Sequence, residues 1–431
     1  MKILVVTQYW HPENGVPQRR WLWLANLLRE SGHAIRVVAP PAHYLRKVSW
    51  GDWLGRLKLS IQSSPEIGTV GERIYRCLYV PASSSLTSRA ANQAIVALAS
   101  FGKIVNPTGE IRKWQPDLVV ATVPALPTAF VGRLVASVLR VPYILDVRDA
   151  WPELLDYSAA WNAGVGPASM REKMLSKGPL QLVSLLTRFV LDGAIKNADG
   201  VMVTADRLRT HVIEKYGLDG DDVATIRNVF PVDAILTKER KVKHPGDCLN
   251  VLYAGTLGRA QGLQNAVEAA ELARNMGLAI NLKFVGAGAA STALRELAEN
   301  SEALISVEPR HPANEMEEFY QWADTALVHL TDWEPLQMAV PSKTFELISS
   351  GVHVTAVAEG ETRDIVEGLK AGIAVSPGDP LALAEAWQSL IKNPTQLKAS
   401  GAGRDWVICE RTKVAPSKLL SLVERVGKSG Q

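Results

Sequence analysis

Short apolar runs recur along the first half of the chain, each followed by a stretch in which apolar positions return every three or four residues. The runs are Ile3 to Thr7, Ile35 to Ala39, Leu118 to Thr122, Tyr143 to Val147 and Gly200 to Thr204. They read as buried strands, and their alternation with helical periodicity means a parallel sheet with helices on both faces. The pattern then restarts. Asn250 to Ala254, Asn281 to Val285 and Thr325 to Leu330 read as strands, and helical periodicity spans Leu263 to Asn275, Ser291 to Asn300, Pro312 to Trp322 and Pro341 to Ser350. The chain is therefore expected to be α/β, with two doubly wound domains, residues 1–235 and 236–404. A helical segment, 405–431, is interrupted at Pro416 and is expected to pack back on the first domain. The boundary falls in the polar stretch Lys238, Glu239, Arg240, Lys241, Lys243 and Pro245. Ligands of such sheets bind at the C-terminal ends of the strands, which puts the site in a cleft between the two sheets.

Composition supports this division. At 431 residues the chain exceeds what one core usually organises, and 47% hydrophobic with 21% charged residues is the balance of a folded globular protein. Cys77, Cys248 and Cys409 are odd in number, far apart and without metal-ligand spacing, so neither a disulfide framework nor a zinc site is indicated and a reducing cytoplasm is the expected compartment. The run Lys2 to Thr7 is too short for a signal peptide, and a charge interrupts every candidate membrane span. Net charge is +3 but uneven: residues 1–120 hold 15 Lys and Arg against 7 Asp and Glu. Within that basic part, Tyr44 to Leu59 interleaves basic residues with Trp and Leu as an interfacial segment does, and Leu180 to Leu191 is a second apolar stretch. An anionic membrane surface is thus an expected partner; the alternative is that both stretches are ordinary helices. Nothing points to nucleic acid.

The chemistry concentrates at strand ends. Pro341-Ser342-Lys343-Thr344-Phe345-Glu346 opens a helix that Gly351 can end. A lysine in the first turn, where the helix dipole disfavours cations, suggests an anion beside it, with Ser342 at the same terminus and Glu346 one turn on. The alternative is a surface ion pair of Lys343 with Glu346. Three glycine turns follow strands: Gly15 with Arg19 behind it, Gly255 and Gly258 before Arg259, and Gly286 with Gly288. Such glycines let backbone N–H groups approach phosphate oxygens, and they also serve tight turns structurally. None gives the G-x-G-x-x-G fingerprint of a nicotinamide enzyme. The run Asp146-Val147-Arg148-Asp149-Ala150-Trp151-Pro152-Glu153 ends a strand in charges. Asp149 is the candidate to orient or deprotonate an acceptor hydroxyl, with Arg148 as its charge partner and Glu153 nearby; a structural Asp–Arg network is the alternative. Asp219-Gly220-Asp221 has a metal-binding D-x-D pattern but the composition of a turn.

Together these residues resemble the family-4 retaining glycosyltransferases of GT-B fold that assemble bacterial O-antigen, capsule and exopolysaccharide. The resemblance rests on Pro12 to Arg20, Asp146 to Glu153, Tyr253-Ala254-Gly255-Thr256-Leu257-Gly258, Val285-Gly286-Ala287-Gly288, and Pro341-Ser342-Lys343 with Glu346. It implies a nucleotide-sugar donor held by the C-terminal domain and metal-independent transfer with retention. The implied acceptor is a polyprenyl-diphosphate-linked sugar, met by a peripheral protein on the cytoplasmic face of the inner membrane. Lys343 and Arg259 would neutralise the donor diphosphate, the turns at Gly15 and Gly286 would line the phosphate and nucleoside sites, and Glu346 would hold the ribose. The first glutamate of the family's E-x7-E motif is replaced by Met338, and Gln261 stands where many relatives have lysine. A UDP-sugar 2-epimerase or an inactive subunit on the same scaffold remains an alternative.

Overall fold

The computed structural model describes residues 1–43, 48–61, 64–82, 86–123, 125–157, 179–231, 244 and 246–429. The expected connector from Lys238 to Lys243 and Pro245, and Tyr44 to Lys47 of the Trp-rich stretch, lie outside them. The chain forms two compact units. Unit 1 is Met1–Pro152, Leu182–Phe230 and Lys413–Gln431; unit 2 is Glu153–Gln181 and Pro231–Thr412. The terminal segment expected at 405–431 thus divides at Lys413.

Unit 1 holds eight strands: β1 (Lys2–Val6), β2 (Ala34–Ala39), β3 (Glu66–Ile67), β4 (Arg73–Arg76), β5 (Leu118–Val123), β6 (Tyr143–Val147), β7 (Gly200–Val203) and β8 (Val223–Thr225). Their order is β3-β4-β2-β1-β5-β6-β7-β8, parallel except for the edge pair β3–β4. Every residue of β5, β6 and β7 is buried, as strands covered on both faces require. The terminal helix Ala415–Ser429 lays Leu422 and Val426 over Gly200, where a side chain on β7 would collide with them.

Unit 2 holds β9 (Leu249–Thr256), β10 (Ile280–Ala287), β11 (Leu304–Glu308), β12 (Thr325–His329), β13 (His353–Val357) and β14 (Gly372–Val375), all parallel, in the order β11-β10-β9-β12-β13-β14. In each sheet the strand order reverses direction once, between β1 and β5 and between β9 and β12. At such a switch point the connections leave to opposite faces, and a crevice opens at the C-terminal ends of the two strands.

Candidate functional site

In unit 2 the switch point gathers the residues singled out at the end of β9 and in the helix Ser342–Ser350. β9 leads through Gly258 into a 3-10 turn, Arg259–Gln261, closed by Gly262 in a left-handed conformation (φ 54°). The backbone N–H of Thr331, just past β12, donates to the Ala260 carbonyl at 2.9 Å and ties this turn to the neighbouring strand end. His329 closes β12 from within. It is 3% exposed with Nε2 3.0 Å from Asn265 Oδ1, and burial pushes its pKa down to about 4, so it is a neutral packing group at physiological pH. Gly286 and Gly288 answer a steric demand: a Cβ at Gly286 would overlap the Gly255 carbonyl oxygen, and one at Gly288 the Leu257 carbonyl oxygen. Both glycines are therefore required by the close approach of β9 and β10.

The helix Ser342–Ser350 starts one residue later than its pattern suggests, with Pro341 as the N-cap, and it ends on left-handed Gly351 (φ 70°). No side chain caps its N-terminus. The helix is anchored by its buried face, where Phe345 stacks on Trp406 of the helix Gly401–Cys409 at 6.2 Å. Lys343 does pair with Glu346, Nζ to Oε2 at 3.0 Å, but not as an exposed surface pair: the two side chains are 27% and 11% exposed. A third member was not legible in the sequence. Tyr320, fully buried in the helix Met316–Trp322, donates its hydroxyl to Glu346 Oε1 and accepts from Lys343 Nζ at 3.1 Å. Nothing local marks it, since it lies 26 residues upstream and reads as an ordinary core aromatic. The result is an ammonium held in place beside an uncapped helix N-terminus, which is the chemistry of an oxyanion site.

In unit 1, the charged run after β6 is sorted by burial. Asp146 points into the interior, where it accepts from Arg20 (Nη2–Oδ1 2.9 Å, Nε–Oδ2 3.3 Å) and from the Trp21 indole at 2.8 Å. Arg20 is fully buried and also donates to the Ile226 carbonyl and Asn228 Oδ1. This part of the run is thus the structural network held open as an alternative. Arg148, 6% exposed, lies across the end of β5 with Nε 3.4 Å from the Val123 carbonyl, and its Nη2 has no hydrogen-bond partner among the described residues. Asp149 is partly buried, and desolvation raises its pKa above the ordinary carboxylate value, with Arg148 opposing the rise and Asp146 adding to it. Gly15 is the N-cap of the helix Val16–Glu30, which also lacks a side-chain cap. Arg19 stacks its guanidinium over Phe230 at 4.8 Å. Glu153 opens a 3-10 turn, Glu153–Tyr157, that belongs to unit 2. Asp219 and Asp221 form a turn whose carboxylates, with Asp222, surround Arg425; Arg425 Nη1 is 2.6 Å from Asp221 and Nε 3.0 Å from Asp222. Among the described residues no group of three or more His, Cys, Asp or Glu is placed to hold a metal.

Comparison with known proteins places both halves. Residues 15–229 match the family described as "Glycosyl transferase 4-like domain", and residues 249–393 the family "Glycosyl transferases group 1". The colanic acid biosynthesis glycosyl transferase WcaI of Escherichia coli K12 is 26% identical over 308 residues, 69% of each chain. Among solved structures, sucrose-phosphate synthase of Thermosynechococcus elongatus superposes with a TM-score of 0.67 at 16% identity, covering 100% of both chains. HepE of Anabaena, solved in complex with UDP and glucose, superposes at 0.57 and 14% identity, over 100% of this chain and 99% of its own.

Proposed function

Because the chain belongs to the glycosyltransferases, joining a 4-like domain to a group 1 domain, we propose that it moves a sugar from a UDP-sugar to a lipid-linked saccharide in bacterial surface polysaccharide assembly, with retention at the anomeric carbon. The observation that carries this reading is Lys343, held by Glu346 and Tyr320 beside an open helix N-terminus at the switch point of unit 2. In glycosyl transfer the diphosphate leaves and gains charge as it does so. A preorganised ammonium and backbone N–H groups lower that barrier without reorganising. Arg259 adds a second cation from the turn tied to β12, and the reading requires no bound metal. Glu346, already oriented, is the acceptor for the ribose hydroxyls. In unit 1, Asp149 takes the acceptor hydroxyl and Arg148, with a free N–H, takes an oxygen of the same sugar. The UDP and glucose bound by HepE support a UDP-sugar donor, and the role named for WcaI supports a surface polysaccharide as product.

The acceptor's lipid calls for a membrane-facing surface, here the anionic cytoplasmic leaflet. Leu185, Leu186 and Phe189 on the helix Pro179–Lys196 are 63%, 56% and 77% exposed, and Trp50 and Leu54 on the helix Trp50–Ile61 are 60% and 64% exposed. Large apolar groups at that exposure are what an interfacial surface presents.

The donor reading is tested with Lys343→Ala and a panel of UDP-sugars offered with a polyprenyl-diphosphate-linked sugar. Loss of the diphosphate's cation is expected to lower kcat/KM by about a hundredfold or more. Near-normal turnover in a folded variant would sink the assignment.

A further inference from the structure

Just past β1, Gln8 is 2% exposed, and its amide is held by a one-way relay of hydrogen bonds. Both ends of the relay are backbone carbonyls, which only accept. Asn92, on the helix Leu86–Val105, donates from Nδ2 to the Val80 carbonyl, so its Oδ1 turns to Gln8 and accepts from Gln8 Nε2 at 2.7 Å. His43, just past β2, has Nδ1 2.9 Å from the Pro41 carbonyl. That nitrogen therefore carries the proton, and Nε2 accepts from Gln8 Nε2 at 3.0 Å. Burial lowers the His43 pKa, which keeps the ring in this neutral form. Both amide N–H groups of Gln8 are thus used, and Oε1 cannot exchange places with them. Oε1 itself is buried with no hydrogen-bond partner among the described residues.

A second amide in the same connection repeats this state. Gln18, 4% exposed in the first turn of the helix Val16–Glu30, donates from Nε2 to Glu13 Oε2 at 3.3 Å, and its Oε1 is also buried without a partner among the described residues. That oxygen lies against Gly15, where a Cβ would sit 2.6 Å from it. The Glu13 carboxylate is near enough to the His43 ring to act on its charge. The two amides therefore belong to one cluster at the C-terminal end of β1, on the switch point of the unit 1 sheet.

We propose that Gln8 and Gln18 select the acceptor saccharide, each oxygen accepting a hydrogen bond from one of its hydroxyls. The inference rests on the reading of unit 1 as the acceptor side and extends it from the reacting hydroxyl at Asp149 to the rest of the sugar. A buried carbonyl oxygen without a donor is costly, and two in one connection point to a ligand that supplies donors. Charge narrows the class. Carbonyl oxygens beside the Glu13 carboxylate repel a diphosphate and suit neutral hydroxyls. The relay makes the contact selective: Gln8 cannot turn its amide round, so a sugar lacking that hydroxyl leaves the oxygen unpaired.

Steady-state transfer from the preferred UDP-sugar to a polyprenyl-diphosphate-linked sugar and to its singly deoxygenated analogues tests this in the wild type, Gln8→Met and Gln18→Met. In the wild type, two of the deoxy analogues should each lose about tenfold or more in kcat/KM. Gln8→Met should raise the acceptor KM by about tenfold, leave the donor KM within about twofold, and use one of those analogues as well as the parent sugar. Gln18→Met should do the same for the other analogue. If only one variant folds, its own match with one analogue decides. Deoxy penalties that survive in the variants, donor and acceptor KM rising together, or a wild type indifferent to every deoxy analogue overturns the proposal. A wild type that transfers to no lipid-linked sugar is a different result, and it removes the acceptor reading itself.

Discussion

Asp149 is where burial and charge pull against each other. Loss of solvent raises the pKa of its carboxyl, the Asp146 charge adds to the rise, and the adjacent Arg148 guanidinium opposes it; burial is the largest of these effects. If the ionised form receives the acceptor's proton, kcat/KM should fall on acidification with a midpoint above the ordinary carboxylate value of about 4. Asp149→Asn should lower the rate and erase that acid limb. A limb that persists unchanged in the variant assigns the titration to another group. At this scale the sequence shows which residues carry charge but not which way they face. Asp146, Arg148 and Asp149 form one cluster on paper, yet Asp146 is claimed by Arg20, 126 positions away. Tyr320 is the converse case, a partner of Lys343 and Glu346 whose side chain reads as core.

The strands most visible in the sequence are those buried on both faces, because nothing polar interrupts them. β13 escaped for a physical reason. Its sequence, His353-Val354-Thr355-Ala356-Val357, looks half polar, but Thr325 Oγ1 lies 2.8 Å from both His353 Nδ1 and Thr355 Oγ1, so the polar groups satisfy one another inside the sheet. β4, β8 and β14 have four residues or fewer, and none of them is buried at every residue as the equally short β7 is. The helix Ser291–Asn300 has the bounds its pattern predicts. Pro416 misleads in the opposite sense: the terminal helix is interrupted earlier, by the π-helical turn Glu410–Val414, and Pro416 sits in the first turn of Ala415–Ser429, where its missing N–H costs little. The tightest demand on an element is the approach of β9 and β10. Gly286→Ala should destabilise unit 2 by about 2–3 kcal/mol, since the new methyl meets a backbone oxygen that cannot move aside. Urea unfolding followed by tryptophan fluorescence measures it, and a midpoint equal to wild type would show that the strands separate more easily than their pairing implies.

For the molecule as a whole, the restart of the strand pattern foretells two sheets and the terminal segment is expected to return to the first domain, but nothing in the pattern assigns Glu153–Gln181 to the second unit. Packing of residue 200 against residues 422 and 426 leaves no local trace. Membrane attachment also belongs to this scale. Among the described residues no helix is long and apolar enough to cross a bilayer, and the proposed contact is the exposed apolar side of the helix Pro179–Lys196. Leu186→Ser with Phe189→Ser should at least halve the fraction sedimenting with vesicles containing anionic lipid, because each swap removes apolar area worth about 1.5–3 kcal/mol when buried. Binding equal to wild type would rule this helix out as the contact.

The return of Ala415–Ser429 to unit 1 has a consequence for how the protein is made. A ribosome releases the chain from its first residue onward, so unit 2 has all its residues once Thr412 has emerged, while β7 still lacks the helix that covers Gly200. Arg20 likewise waits for Ile226 and Asn228, 206 and 208 residues later, before its guanidinium is fully paired. The unit begun first during translation is therefore the one finished last, and its sheet stays partly uncovered until the final helix has been synthesised.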